Sequence, residues 1–296
     1  MLSDENNYMK LHSLRHVPTR RRTIKSTVRG FIYWILCLVS TKPAVTQWID
    51  ETSILYTVPL NTFFSRYLCK YQTYEPVNTN ILIDIFSKNK EGLYVDVGAN
   101  FGWYTCLFSK FAGASGLVVA IEPEPVNLNY LNKNISQNEV KNSKIFPVAV
   151  GSKRSKLPLH RGPSINPGMF SFVEKKDNLS SPQDIIVDVH TLDQLLDFTV
   201  APIRLIKMDV EGFEIDALMG ASQVLKRCEA LLVEYTPNYL KSAGHDPKIF
   251  FELIISAGLV PHQMVYGKIS LLNKSQIDII VINEFDQQDF LCLRPC

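Results

Sequence analysis

The chain has 296 residues, 46% of them hydrophobic and 20% charged. This is the composition of a globular protein and excludes a disordered or collagen-like chain. The net charge of +2 is uneven: residues 1–30 carry Lys10, Arg15, Arg20, Arg21, Arg22, Lys25 and Arg29 against Asp4 and Glu5, a local +5 that leaves the remainder at −3. A basic nucleic-acid-binding body is thereby excluded, and no nucleic-acid partner is expected. The six cysteines form no C-x-x-C pair and no Cys/His cluster with zinc spacing, as expected of reduced thiols in a cytoplasmic protein.

In chain order, residues 1–42 form a basic arm followed by a short apolar segment. That segment, GFIYWILCLVST, holds twelve uncharged residues between Arg29 and Lys42, fewer than the ~20 that span a bilayer. Its layout echoes an export signal, but Arg29 and Lys42 crowd the apolar run and no A-x-A site follows. It is expected to pack on the body or to lie on a membrane surface, so peripheral membrane contact is assigned to residues 15–42. Residues 43–90 are expected to form an N-terminal helical or cap region.

Residues 91–296 alternate in an organised way. LYVDVG reads as a strand, WYTCLFSKFAG as a helix ending at Gly113, and LVVAIEP as a strand buried on both faces. PVNLNYLNKNISQNE is an amphipathic helix with Leu128, Leu131 and Ile135 on one side, and KIFPVAVG is a third strand. Residues 152–190 read as irregular or hairpin-like. IRLIKMDVEG is a strand, EIDALMGASQVLKR a helix, ALLVEYTP a strand and PKIFFELIISAG a helix. LVPHQMVYG and SQIDIIVINE are expected to pair antiparallel. The pattern predicts an α/β fold, a mostly parallel sheet with helices on both faces and a C-terminal antiparallel hairpin.

Ligands of such sheets sit beyond the carboxyl ends of the strands. Four of the five strand ends carry acids: Asp96, Glu122, Asp209 with Glu211, and Glu234. The turn after the first strand, G-A-N-F-G, is neither G-x-G-x-x-G nor a P-loop. Glycine allows a ligand to approach the backbone. The acids beside it disfavour phosphate and favour a cationic group together with ribose hydroxyls. A nucleoside with a sulfonium, S-adenosylmethionine (SAM), has these features.

VDVGANFGWYT, VVAIEPEPVNLNYLNKN, TLDQLL, IRLIKMDVEGFEIDALMGASQVL and LLVEY, in that order, resemble the FkbM-type methyltransferases. The resemblance implies a Rossmann-like class I methyltransferase that uses SAM, with O-methylation of a hydroxyl on a sugar, polyketide or lipid-linked small-molecule acceptor. It assigns Asp96, Gly98, Ala99, Asn100, Gly102 and Tyr104 to the methionine end of the cofactor. Glu122 and Pro123 go to the ribose and Ala149 to the neighbourhood of adenine. Asp209, Glu211 and Glu234 are the candidate catalytic residues. Asp209 also suits an N-cap, and Glu211 and Glu214 suit a first helical turn. No metal ligand is expected, although carboxylates converging here would suit a divalent cation. Phe170, Phe172, Tyr235 and Tyr239 suit either a substrate-stacking wall or the core. The rival readings are a non-catalytic SAM-fold interaction protein and an NAD-dependent oxidoreductase. Nothing in the sequence specifies the oligomeric state.

Overall fold

The computed structural model describes residues 23–88, 91–161, 170–171, 185–265, 267–282 and 287–295. Its first elements are α1 (Ile24–Val39), β1 (Ala44–Ile49), β2 (Ile54–Pro59), α2 (Phe63–Tyr71) and α3 (Pro76–Phe86). The segment expected to be helical thus also contains an antiparallel β1–β2 pair. There follow β3 (Leu93–Val97), α4 (Trp103–Ala112), β4 (Leu117–Ile121), α5 (Pro125–Gln137), β5 (Ser143–Phe146), β6 (Ala149–Val150), β7 (Ser155–Arg161), β8 (Phe170–Ser171) and β9 (Ile185–His190). The remainder is α6 (Leu192–Leu195), β10 (Ile203–Met208), α7 (Glu214–Met219), α8 (Ser222–Lys226), β11 (Ala230–Tyr235), α9 (Pro237–Ser242), α10 (Lys248–Ser256), β12 (Val260–Val265), β13 (Lys268–Leu271), α11 (Lys274–Ile282) and β14 (Gln288–Leu293).

The central sheet runs in the order β13-β12-β14-β11-β10-β3-β4-β5. The strands from β11 to β5 are parallel, while β14, β12 and β13 join antiparallel. This is a Rossmann-like architecture, a parallel sheet extended by antiparallel strands at one edge. The chain reverses its direction of sheet growth between β3 and β10, which is where such folds open a ligand crevice.

Alternation along the strands decides what faces that crevice. Leu93, Val95 and Val97 of β3 point into one core layer with Ile206, Val233 and the helices α7, α8 and α10. Tyr94, Leu205 of β10, Leu232 of β11 and Leu291 of β14 point into the opposite layer, against α2, α3 and α4. With a period of two, Asp96, Lys207, Glu234 and Asp289 share this second face at the carboxyl end of the sheet. Asp96 and Lys207 are paired neighbours across β3 and β10, and Glu234 and Asp289 across β11 and β14.

Three sequence expectations change. SQIDIIVINE does not form the antiparallel partner of β12: its described part lies in the helix α11, and the partners are β13 and β14. Asn273 and Gln276 start that helix by reciprocal bonds, each side-chain oxygen accepting the other's backbone N–H at 3.0 and 2.9 Å. The strand read in KIFPVAVG divides at Pro147. β5 stays in the central sheet, and β6 pairs with β9 in a small sheet of order β6-β9-β7-β8. The helix read in EIDALMGASQVLKR breaks into α7 and α8 at Gly220, where a Cβ would lie 2.0 Å from the carbonyl oxygen of Gly151. The hairpin reading of 152–190 agrees with the β7–β9 pairing. Tyr235 belongs to the core, packed at tilted and edge-on angles among Phe250, Phe251 and Phe290, and Phe172 lies outside the described residues.

Candidate active site

The turn leaving β3 is held against two neighbours. The N–H groups of Gly98 and Ala99 both donate to the carbonyl of Ile121 at 3.0 Å. Gly98 sits at φ +78°, and a Cβ there would lie 1.8 Å from the carbonyl oxygen of Asp209. Only glycine lets the loops after β3 and β10 meet this closely. Gly102, at φ +86°, packs likewise on Leu131. It occupies the N-cap position of α4 without a side-chain cap, so Asp96 does not cap that helix. Its Oδ2 accepts from the Thr105 hydroxyl at 2.6 Å, and its Oδ1 has no partner. Burial raises the Asp96 pKa, and Lys207 works against that rise.

Glu122 ends β4, 4% exposed. Its Oε2 accepts from the N–H of Asn100 at 2.7 Å, and its Oε1 from the N–H of Glu124 at 2.9 Å and Nδ2 of Asn127 at 3.3 Å. A carboxylate offers about four acceptor positions, so one remains on Oε2. Burial pushes Glu122 up to about 7 despite these donors.

Beyond β10, Asp209 Oδ2 lies 3.1 Å from the Nζ of Lys207. Burial works against the Lys207 ammonium, yet Asp209, Asp96 and Glu75 outweigh it and hold its pKa above the ordinary lysine value. Asp209 is not an N-cap, because α7 begins at Glu214 after Phe213 with no side-chain cap. The loop is instead secured by Glu214, fully buried, whose Oε1 accepts from the N–H groups of Val210 and Gly212 at 3.0 and 3.2 Å. Burial, then Asp209, pushes Glu214 up to about 7. Burial also raises Glu234 well above the usual carboxylate range, with Asp209, Glu211 and Glu214 adding to it. Carboxylate oxygens of Asp209, Glu214 and Glu234 lie within 4.8 Å of one another, the one such group of potential cation ligands among the described residues.

Residues from outside the motif segments complete the site. Glu75, between α2 and α3, has a left-handed backbone (φ +41°). Its carboxylate accepts from the Tyr104 hydroxyl and from Nδ2 of Asn78, which also donates to Asp289 at 2.9 Å. Desolvation pushes Asp289 up to about 7. Phe64 and Tyr74, with ring centroids 4.2 Å apart, form an aromatic wall together with Trp103.

These elements line one open cleft at the carboxyl end of the sheet. Gly98, Ala99, Asn100, Tyr104, Glu122, Pro123, Ala149, Asp209 and Glu211 line it. Asp96, Gly102 and Glu234 do not line it, and Glu234 belongs to the cluster of carboxylates with Asp209 and Glu214. Glu75, Asn100 and Glu211 all line it in left-handed conformations (φ 41°, 49° and 52°), each costing about 1–2 kcal/mol. Strain gathered at one cleft is a mark of function. Lys207 left a trace in the sequence, as one of two cations, with Arg204, in the otherwise apolar run IRLIKM. Glu75 left none, because nothing local to YEPVN shows which strand ends it meets.

The residues fit SAM. The orphaned Asn100 Oδ1 and Asp96 Oδ1, the close approach at Gly98 and the remaining acceptor position on Glu122 suit a ligand with a cationic end and a ribose.

Comparison with known proteins agrees. The profile of the Methyltransferase FkbM domain matches residues 96–255. A hexuronic acid methyltransferase of Haloferax volcanii is 28% identical over 171 residues, 55% of this chain and 62% of that protein. Methyltransferase 1 of Beauveria bassiana is 25% identical over 146 residues, 44% and 58% of the two chains. The chain thus spans about three-fifths of the length of these relatives. Among solved structures, a methyltransferase FkbM of Methylobacillus flagellatus superposes with a TM-score of 0.45 at 14% identity, covering 99% of this chain and 70% of that one. The profile covers more than half of the chain and includes the loops that build the cleft, and the chain belongs to the FkbM methyltransferase family.

Proposed function

We propose that the protein is a SAM-dependent O-methyltransferase acting on a hydroxyl of a sugar, polyketide or lipid-linked acceptor. The observation that carries this reading is the joining of the Gly98 turn, Glu122 and Asp209 around one cleft at the switch point of the sheet. The relative named for a hexuronic acid supports a sugar-type acceptor within that range.

SAM supplies a methyl group on a sulfonium, which leaves without covalent help from the protein. The chain's work is to bind, orient and deprotonate. Glu122 would accept a hydrogen bond from a ribose hydroxyl. The Gly98–Asn100 turn and the acids around it hold the cationic end. The aromatic wall of Phe64, Tyr74 and Trp103 would exclude water and confine the acceptor beside the cofactor. Asp209 would take the hydroxyl proton, and Lys207, with its Nζ 3.1 Å from Oδ2, holds that carboxylate in place.

A titration of the full chain with S-adenosylhomocysteine, SAM and NAD tests the cofactor. Binding of the first two alone supports the reading, and preference for NAD overturns it. A panel of hydroxylated acceptors with methyl-labelled SAM then identifies the acceptor.

A further inference from the structure

The amphipathicity of α1 is inverted. Its small and polar residues face the protein: Ser26 and Tyr33 are buried, and the Tyr33 hydroxyl lies 2.8 Å from that of Ser65 on α2 and accepts from the N–H of Asn61. Its apolar residues face outward. Ile24, Val28, Phe31, Ile35 and Leu38, spaced by four and three, form one stripe, and they are 86%, 51%, 60%, 38% and 65% exposed. Ile32, Trp34 and Val39 widen it, with Trp34 stacked on Phe31. Phe63 of α2 is also exposed. A soluble helix hides such a stripe, and an exposed one marks an interaction surface.

Charge identifies what covers it. No Asp or Glu occurs from residue 6 to residue 49, while that stretch contains Lys10, Arg15, Arg20, Arg21, Arg22, Lys25, Arg29 and Lys42. On the folded surface, Arg66 and Lys70 of α2 line a shallow cleft with Thr27 and Gly30 of α1. An apolar stripe flanked by cations alone matches a surface with an apolar interior and anionic headgroups. The 16 residues of α1 rise about 24 Å, short of the ~30 Å hydrocarbon core, and no helix among the described residues is long and apolar enough to cross a membrane.

We infer that α1, with the adjoining face of α2, docks the protein on an anionic lipid surface. The helix lies in the plane of the interface with Phe31, Trp34, Ile35 and Leu38 in the acyl boundary. Lys25, Arg29, Arg66 and Lys70 stand at headgroup level. The same α2 contributes Phe64 to the wall of the catalytic cleft, so docking brings the cleft close to the lipid surface. The docking itself does not depend on the proposed methyl transfer.

The test is flotation of the full chain with vesicles of phosphatidylcholine alone and of phosphatidylcholine with phosphatidylserine. Binding should appear with the anionic vesicles and fall roughly tenfold or more without phosphatidylserine or at about 0.5 M salt. The double variant Trp34→Glu/Leu38→Glu alters two exposed side chains and should abolish flotation. Its thermal shift with S-adenosylhomocysteine, equal to that of the parent chain, shows that the fold is intact. Failure of the parent chain to float with anionic vesicles overturns the proposal. Unchanged flotation of the double variant overturns the role of α1. A stable dimer that the double variant dissociates assigns the stripe to a second copy of the chain and overturns the lipid reading.

Discussion

At the scale of single residues, charge in a confined space dominates. Glu122 meets the ribose in the proposed complex, and Glu122→Ala should weaken S-adenosylhomocysteine binding by about 1.5–3 kcal/mol, the usual range for hydrogen bonds to a charged group; calorimetry giving unchanged affinity removes Glu122 from the site. Asp209→Asn keeps the shape and the bond to Lys207 but not the basicity. Turnover on the acceptor should fall by roughly 10²-fold or more with cofactor affinity nearly unchanged. The same assay with a chelator distinguishes a base from a metal ligand. Asp209 as base predicts no effect of chelation. Activity lost to the chelator and restored by a divalent cation assigns that cation to Asp209, Glu214 and Glu234. The pH dependence follows from Glu122 and Glu214, both at about 7 in the folded chain against about 4.3 unfolded. A raised carboxylate pKa favours the fold most below the unfolded value and loses that contribution as pH rises through 7. The melting temperature of the ligand-free protein should therefore decline between about pH 5 and 8, and a rising profile would contradict the burial of uncompensated acids.

Among the elements, the strand–turn–helix units were the most legible. β3, β4, β10 and β11 are short apolar runs ending in Gly, Pro or acids, and their order implied a crevice rimmed by Asp96, Glu122, Asp209 and Glu234, of which Glu122 and Asp209 line the cleft. The misreadings have local causes. SQIDIIVINE is as rich in isoleucine as a strand, and the bond between Asn273 and Gln276 decides for a helix. The break at Gly220 depends on a carbonyl distant in sequence, at Gly151. Glu214 reads as a routine first-turn acid, yet it reaches back to hold the loop of Asp209. At the turn after β3, Gly98→Ala would push a Cβ into the carbonyl of Asp209 in a backbone region that L-residues resist. That variant should lose cofactor binding and several degrees of thermal stability in a melting assay, whereas Gly267→Ala, at similar φ with no atom within 4 Å, should retain binding.

Across the whole molecule, the segment before β3 is part of the site, although no motif announced it. β2, α2 and α3 share one core with α4 and the sheet, and Phe64, Tyr74 and Glu75 reach the cleft from there. Residues 1–42, by contrast, contribute nothing to its lining among the described residues. A chain beginning at Pro43 should thus bind S-adenosylhomocysteine as the full chain does while losing its affinity for anionic vesicles. The most direct test of the central claim is calorimetry of the full chain with S-adenosylhomocysteine, alongside Glu122→Ala and Gly98→Ala. One site per chain, weakened in both variants and matched by no binding of NAD, is the predicted result. No binding by the parent chain, or equal affinity in all three proteins, would contradict a SAM site in the cleft between β3, β4 and β10.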